Sequence, residues 1–218
     1  MGKSRGFSLI ELLIVLGVVG LLLAFAAPNL FSLVSSNTLT GEGGVLRNQF
    51  TYAQQIAVSK SADVEVRFYK IDDPDAAMTD KAFRAYQLYQ YNDSGEMVPV
   101  SSLFRLKPPV AVNLGLSTLL NANSGGATKE DKKYGFDSPR TGVEDAPVGS
   151  GGTMQQAEYV AFRFRPDGST DLPHRTGNND TWYITLVQGE GAVSNSDPDN
   201  YLCLQVNPYN GQVSEFRP

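Results

Sequence analysis

One cysteine, one histidine and one tryptophan occur in the 218 residues, and each scarcity removes a class of explanation. With Cys203 alone there is no intramolecular disulfide and no multi-cysteine zinc site. The thiol alternates with apolar neighbours along residues 201–206, which predicts a buried small hydrophobe. With His174 alone, any catalytic dyad must be built around it. Asp167 and Asp171 are near in sequence, yet no motif organises them, so the expectation is a loop histidine beside Pro173 and no enzymatic activity. Positive charge is also short. Eighteen Lys and Arg against 23 Asp and Glu give a net charge of −5, which leaves no broad footprint for nucleic acid. Lys129, Lys132 and Lys133 are offset by Glu130 and Asp131 and read as a solvated loop.

One long apolar run is present, at residues 7–27, close to the length needed to cross a ~30 Å hydrocarbon core at ~1.5 Å per residue. Lys3 and Arg5 precede it, which predicts an N-terminus in the cytoplasm and the remainder outside. A single acid, Glu11, lies inside the run. Holding an ionised Glu at a bilayer centre costs roughly 2.5–3.5 kcal/mol or more. A segment that serves only as an anchor has no use for it. The cost is offset if Glu11 meets a cation inside the membrane, and the nearest is the α-amino group of a neighbouring copy. That predicts cleavage between Gly6 and Phe7 and side-by-side packing of several such helices. The alternative is a cleaved secretory signal ending near Ala24-Phe25-Ala26-Ala27, which would release a periplasmic or extracellular binding protein. Against it stand the charge within the apolar run and Pro28 directly after the cut.

Gly6-Phe7-Ser8-Leu9-Ile10-Glu11 and the apolar helix that follows resemble the prepilin motif of type IV pilins and type II secretion pseudopilins. The resemblance implies a leader of residues 1–6, removal of that leader by a prepilin peptidase, N-methylation of Phe7, and pairing of Glu11 with the Phe7 amine of a neighbour during filament assembly. Its implied partners are other pilins or pseudopilins, the inner membrane and a secreted protein substrate; no cofactor is implied. Pro28 matches the proline at which a pilin helix leaves the membrane, and with Gly17 and Gly20 it weakens the helix, so a helix break is expected there.

Residues 28–60 read as an amphipathic helix: Leu46, Phe50, Ala53 and Ala57 fall on one face, with Gly41, Gly43 and Gly44 as an interruption. Residues 61–218 read as one globular domain of antiparallel strands. Val64, Val66 and Phe68 alternate with Glu65 and Arg67, and Phe83, Tyr86, Tyr89 and Tyr91 belong to a second strand as core and cross-strand pairs. Short strands follow at 97–106 and 110–114, around Pro108-Pro109. Residues 121–152, rich in Gly, Ser, Asp and Lys, predict a long surface loop. Further strands are expected at 159–165, 182–187, 201–206 and 213–216, with a tight turn at 166–169 and an Asn210-Gly211 hairpin. A long N-terminal helix on a C-terminal antiparallel sheet makes the expected fold α+β and pilin-like.

This second half is similar to the minor pseudopilins of the H type and related minor pilins, through residues 164–170, the Trp182 strand and the closing 210–213 hairpin. Residues 64–69, 162–173 and 216–218 resemble more closely a prepilin-type group named for verrucomicrobial gene cassettes (cassette protein D), which brings no established activity. Two acidic clusters, Asp72 with Asp73 and Asp75, and Asp197 with Asp199 and Asn200, have oxygen ligands for calcium but not EF-hand spacing. No bound metal is expected, and the second cluster is the better placed.

Overall fold

The computed structural model of the protein describes residues 8–72, 81–92, 94–120, 138–174, 182–188, 198 and 200–217; the side chains of 25–35 and 150 lie outside that description. The chain divides into two compact units, Met1–Asn37 and Thr38–Pro218.

Helix α1 (Leu9–Lys60) begins at a Ser8 cap and closes with Lys60 in its last turn, a cation at the negative end of the helix dipole. Its C-terminus is a Schellman turn. The Ala62 amide donates to the Ala57 carbonyl at 3.2 Å and the Ser61 amide to the Val58 carbonyl at 3.4 Å, with Ser61 at φ 50° in the position that glycine usually fills. The helix runs unbroken through Pro28, so the break expected there is not found. A proline inside a helix removes one i→i−4 hydrogen bond but does not by itself end the helix. Gly41, Gly43 and Gly44 are likewise helical. Gly43 has a packing reason: a methyl group at that position would overlap the Leu202 side chain.

Within the second unit, Leu39, Leu46, Phe50, Ala53 and Ala57 on α1 are fully buried. They meet two antiparallel sheets. The larger has the order β3 (Met97–Pro99), β2 (Ala82–Tyr91), β1 (Val64–Ile71), β7 (Gln155–Phe164), β6 (Arg140–Ala146), with β4 (Phe104–Arg105) also on β2. The smaller has the order β10 (Val213–Phe216), β9 (Tyr201–Val206), β8 (Trp182–Gln188), β5 (Val110–Asn113). Alternation sends Val64, Val66 and Phe68 of β1, Tyr86 and Leu88 of β2, and Phe162 and Phe164 of β7 into one core with Ile184, Leu186, Leu202 and Leu204 of the smaller sheet. Phe50 is central to it. Its ring sits edge-on to Phe162 at 5.5 Å and to Phe68 at 6.0 Å.

The fold is α+β, as expected, although the strands form two sheets and not one. Two other details differ. Residues 140–146, expected as loop, are the edge strand β6, whose Arg-Thr-Gly-Val-Glu-Asp-Ala sequence is too polar to read as a strand and which is held by pairing with β7. Residues 121–137 of that expected loop lie outside the described residues. The stretch 97–106 resolves into the two short strands β3 and β4.

The helix is locked to two turns by one amide. Gln54 Nε2 donates to the Gly168 carbonyl at 2.8 Å and to the Asn210 carbonyl. Between these turns Gly211 has φ 65°, and a methyl group on it would overlap the Gly168 carbonyl. Truncating Phe50→Ala is expected to cost about 3–5 kcal/mol in a denaturant titration of the full chain. Tyr52→Ala, one turn-face away and 46 % exposed, should move the midpoint by less than about 0.5 kcal/mol.

Candidate functional site

The first described turn carries the acid singled out in the sequence. Ser8 accepts at its carbonyl from the amides of Glu11 and Leu12 at 3.0 and 3.1 Å, and the Glu11 carboxylate reaches back to the Ser8 amide at 3.4 Å. Glu11, the third helical residue, reaches the amide of the Ser8 cap, which is the returning half of an S-x-x-E capping box. The S-x-x-E spacing was the signal for it. Glu11 thus has a local task, fixing where the helix starts, and a negative charge in the first turn also complements the helix dipole. Gly6 and Phe7, the expected cleavage pair, lie outside the described residues.

Around Glu11 the described large apolar side chains are exposed. Leu9, Ile10, Leu13 and Leu16 are 82, 67, 63 and 64 % exposed, and the row continues to Leu23 at 63 %. Isolated exposed leucines are ordinary, whereas a contiguous row of this length marks an interaction surface. Among the described residues no helix is long and apolar enough to cross a membrane; described side chains of the run stop at Ala24.

A second constellation lies on the face of the larger sheet opposite the helix. Glu65 of β1 is 1 % exposed and receives Arg140 Nη2 at 2.8 Å, Arg163 Nε at 3.1 Å, the Tyr91 hydroxyl at 2.8 Å and a hydrogen bond from Arg67. Arg67 also binds Glu144 and lies 4.3 Å over the Tyr159 ring. The Tyr69 hydroxyl donates to Glu144 Oε1 at 2.6 Å and meets the Tyr89 hydroxyl at 2.7 Å. Asp171 accepts the Arg163 amide at 2.7 Å and faces Arg140 at 3.4 Å. Three carboxylates and three guanidiniums are matched here. Burial alone pushes the Glu65 carboxyl up, but Arg140, Arg67 and the hydrogen bonds outweigh it and hold it below its ordinary value. For Asp171 burial prevails over Arg140 and raises its pKa. Sequence reading missed this network because its strand members look like ordinary outward-facing residues and Asp171 like an ordinary loop acid. The repeated pairing of charge with tyrosine on one face was the available signal.

The remaining candidates separate. His174 stacks on Tyr209 with ring centroids 3.9 Å apart. Cys203 is half-buried, not buried, because alternation along β9 turns Leu202 and Leu204 inward and leaves Cys203 on the other face. Burial raises its thiol pKa. Phe83 and Tyr86 are core, while Tyr89 and Tyr91 belong to the charge network. Asp72 directly follows β1, whereas Asp73, Asp75, Asp197 and Asp199 lie outside the described residues, as do Lys129, Lys132 and Lys133; Asn200 is described without them.

Replacing Glu65→Gln leaves buried guanidiniums without their shared counter-charge and should cost about 3–5 kcal/mol near neutral pH. A carboxyl with a lowered folded pKa contributes stability above its unfolded pKa and loses it as pH falls through the folded value. Denaturation midpoints of the native chain should therefore fall on acidification below the ordinary Glu range. Glu65→Gln should lose that component of the slope.

Residues 1–27 match the family model described as the prokaryotic N-terminal methylation motif. No curated protein and no solved structure matches the chain. The chain therefore carries the N-terminal processing signal of type IV pilin-like proteins, joined to an α+β domain.

Proposed function

We propose that this chain is a structural, non-enzymatic subunit of a type IV pilus-like or type II secretion filament, in the class of minor pilins and pseudopilins. The precursor is anchored in the inner membrane through residues 7–27, with its N-terminus cytoplasmic and the sheet domain on the far side. A prepilin peptidase cuts between Gly6 and Phe7. The apolar stem then joins the stems of other subunits, where Glu11 neutralises the amine of a neighbouring Phe7 and sets the axial register. The sheet domain faces outward toward other subunits or a secreted substrate.

The observation that carries this reading is one acid in a row of uncovered apolar side chains, within a segment that matches the methylation motif. Each large apolar side chain is worth about 1.5–3 kcal/mol between full exposure and full burial. The row leaves on the order of 10–20 kcal/mol to be gained from an apolar environment. A lipid bilayer supplies that environment before assembly and a bundle of like helices supplies it afterwards. Only the second supplies a cation for Glu11. The finer likeness, to the H-type or cassette group, is supported by residues 164–170 and the 210–213 hairpin, the two turns that Gln54 holds.

In a Glu11→Ala variant, cleavage after Gly6 should proceed normally, as followed by gel mobility. Recovery of the variant in sheared filaments should fall by about two orders of magnitude, since an unpaired buried ammonium costs a few kcal/mol. Incorporation at the native level would contradict the pairing mechanism.

A further inference from the structure

The larger sheet forks at one end. β1 and β7 pair from Val64↔Phe164 to Lys70↔Glu158. Past that rung β1 continues with β2 through Ile71↔Ala82, while β7 continues with β6 to Gln155↔Ala146. Among the described residues no ladder joins Ile71 and Asp72 to Gln155, Gln156 and Ala157. An open cleft of about 840 Å³ occupies the fork, with Ile71, Leu103 and Ala157 on its apolar floor. Arg105 lies along it and donates to the carbonyls of Val148 and Gly149, which ties the segment before β5 to the loop after β6.

Two features of the fork point to one kind of occupant. The first is backbone. A strand flank left without a ladder offers main-chain donors and acceptors to an added strand. The three β7 residues span about 10 Å at ~3.3 Å each, enough for a short extended segment. The second is charge. The chain as a whole carries −5, yet among the described residues that line the cleft Lys70, Lys81 and Arg105 stand against one acid, Asp72. Lys81 meets Asp72 only at 4.0 Å, with side chains 56 and 64 % exposed, and Lys70 meets Glu158 at 3.4 Å. Exposed pairs of this kind hold little and are readily exchanged for an incoming carboxylate.

We propose that the fork between β1 and β7 binds an extended acidic segment of another polypeptide by strand addition. Its main chain pairs with the β7 flank at 155–157, its apolar side chains rest on Ile71, Leu103 and Ala157, and its carboxylates meet Lys70, Lys81 and Arg105. This assignment goes beyond the filament reading and stands without it.

The test titrates a fluorescein-labelled short peptide of alternating valine and glutamate into the full chain in detergent, read by fluorescence anisotropy. Saturable binding is expected, weakened by about tenfold or more in a Lys70→Glu/Lys81→Glu variant and for a valine–lysine peptide. Lys107→Glu, outside the cleft and 79 % exposed at its side chain, should leave binding unchanged. Lys81→Gln, a milder change at an exposed position, should weaken it in the same direction and guards against misfolding of the double variant. The same acidic peptide with every second backbone amide N-methylated should also bind about tenfold more weakly. Equal binding of the N-methylated peptide would reduce the site to anion attraction and overturn strand addition. So would equal binding by the charge-reversed protein, or no saturation up to about 1 mM. A self-associated chain that the peptide dissociates would reassign the fork to a second copy and overturn the partner named here.

Discussion

A row of exposed apolar side chains is the constraint on which the rest of this protein depends. Helix α1 is one element, but its residues meet two regimes. Over residues 38–60 one face is claimed by Phe50 and its neighbours in the core of the sheets, and Val45, Tyr52 and Val58 are the exposed remainder. Over residues 9–23 the large side chains are exposed on every side. Hydrophobic burial is roughly proportional to area removed from water, so the second stretch has its stabilisation still to come. An apolar environment would supply that stabilisation, and Glu11 is informative there, since an acid is the residue least suited to such surroundings unless a cation waits.

The sheet domain solves a different problem, with the same economy of cysteine in view. Without a disulfide, its C-terminal part is held by packing and by a few directional contacts. Gln54 bridges two turns, and the Thr170 amide donates to the Pro208 carbonyl at 3.0 Å, so the last hairpin is tied both to the helix and to the 166–169 turn. On the far face, Glu65 gathers three arginines from β1, β6 and β7. Such a cluster is a poor source of net stability but is costly to break, so it favours one arrangement of strands over its neighbours. It is the pairing of β6 through Arg140 that brings an otherwise weak edge strand into this arrangement.

Much of this was legible in the residues. The 3.6-residue spacing of Leu46, Phe50, Ala53 and Ala57 located the buried helix face, and the alternation of Val64, Val66 and Phe68 located the central strand. Glu11 stood out because one charge in an apolar run is rare. Local rules failed where tertiary contacts decide. Pro28 and the 41–44 glycines argued for a break, yet a helix tolerates one lost hydrogen bond, and Gly43 serves close approach to Leu202. β6 was hidden by its polar composition, since an edge strand half in solvent needs few apolar residues. Cys203 fitted a buried pattern, but a period of two cannot say which of the two faces is covered. The charge network was invisible because it joins residues about seventy-five to a hundred positions apart.

The account turns on the apolar stem being kept in the mature protein and not discarded. Intact mass and N-terminal sequencing of the protein isolated from its native cells decide this most directly. A chain that starts at N-methylated Phe7, with Glu11 and the apolar row retained, is the result the account predicts. A chain that starts near Ala27 or Pro28, recovered without detergent, would contradict it.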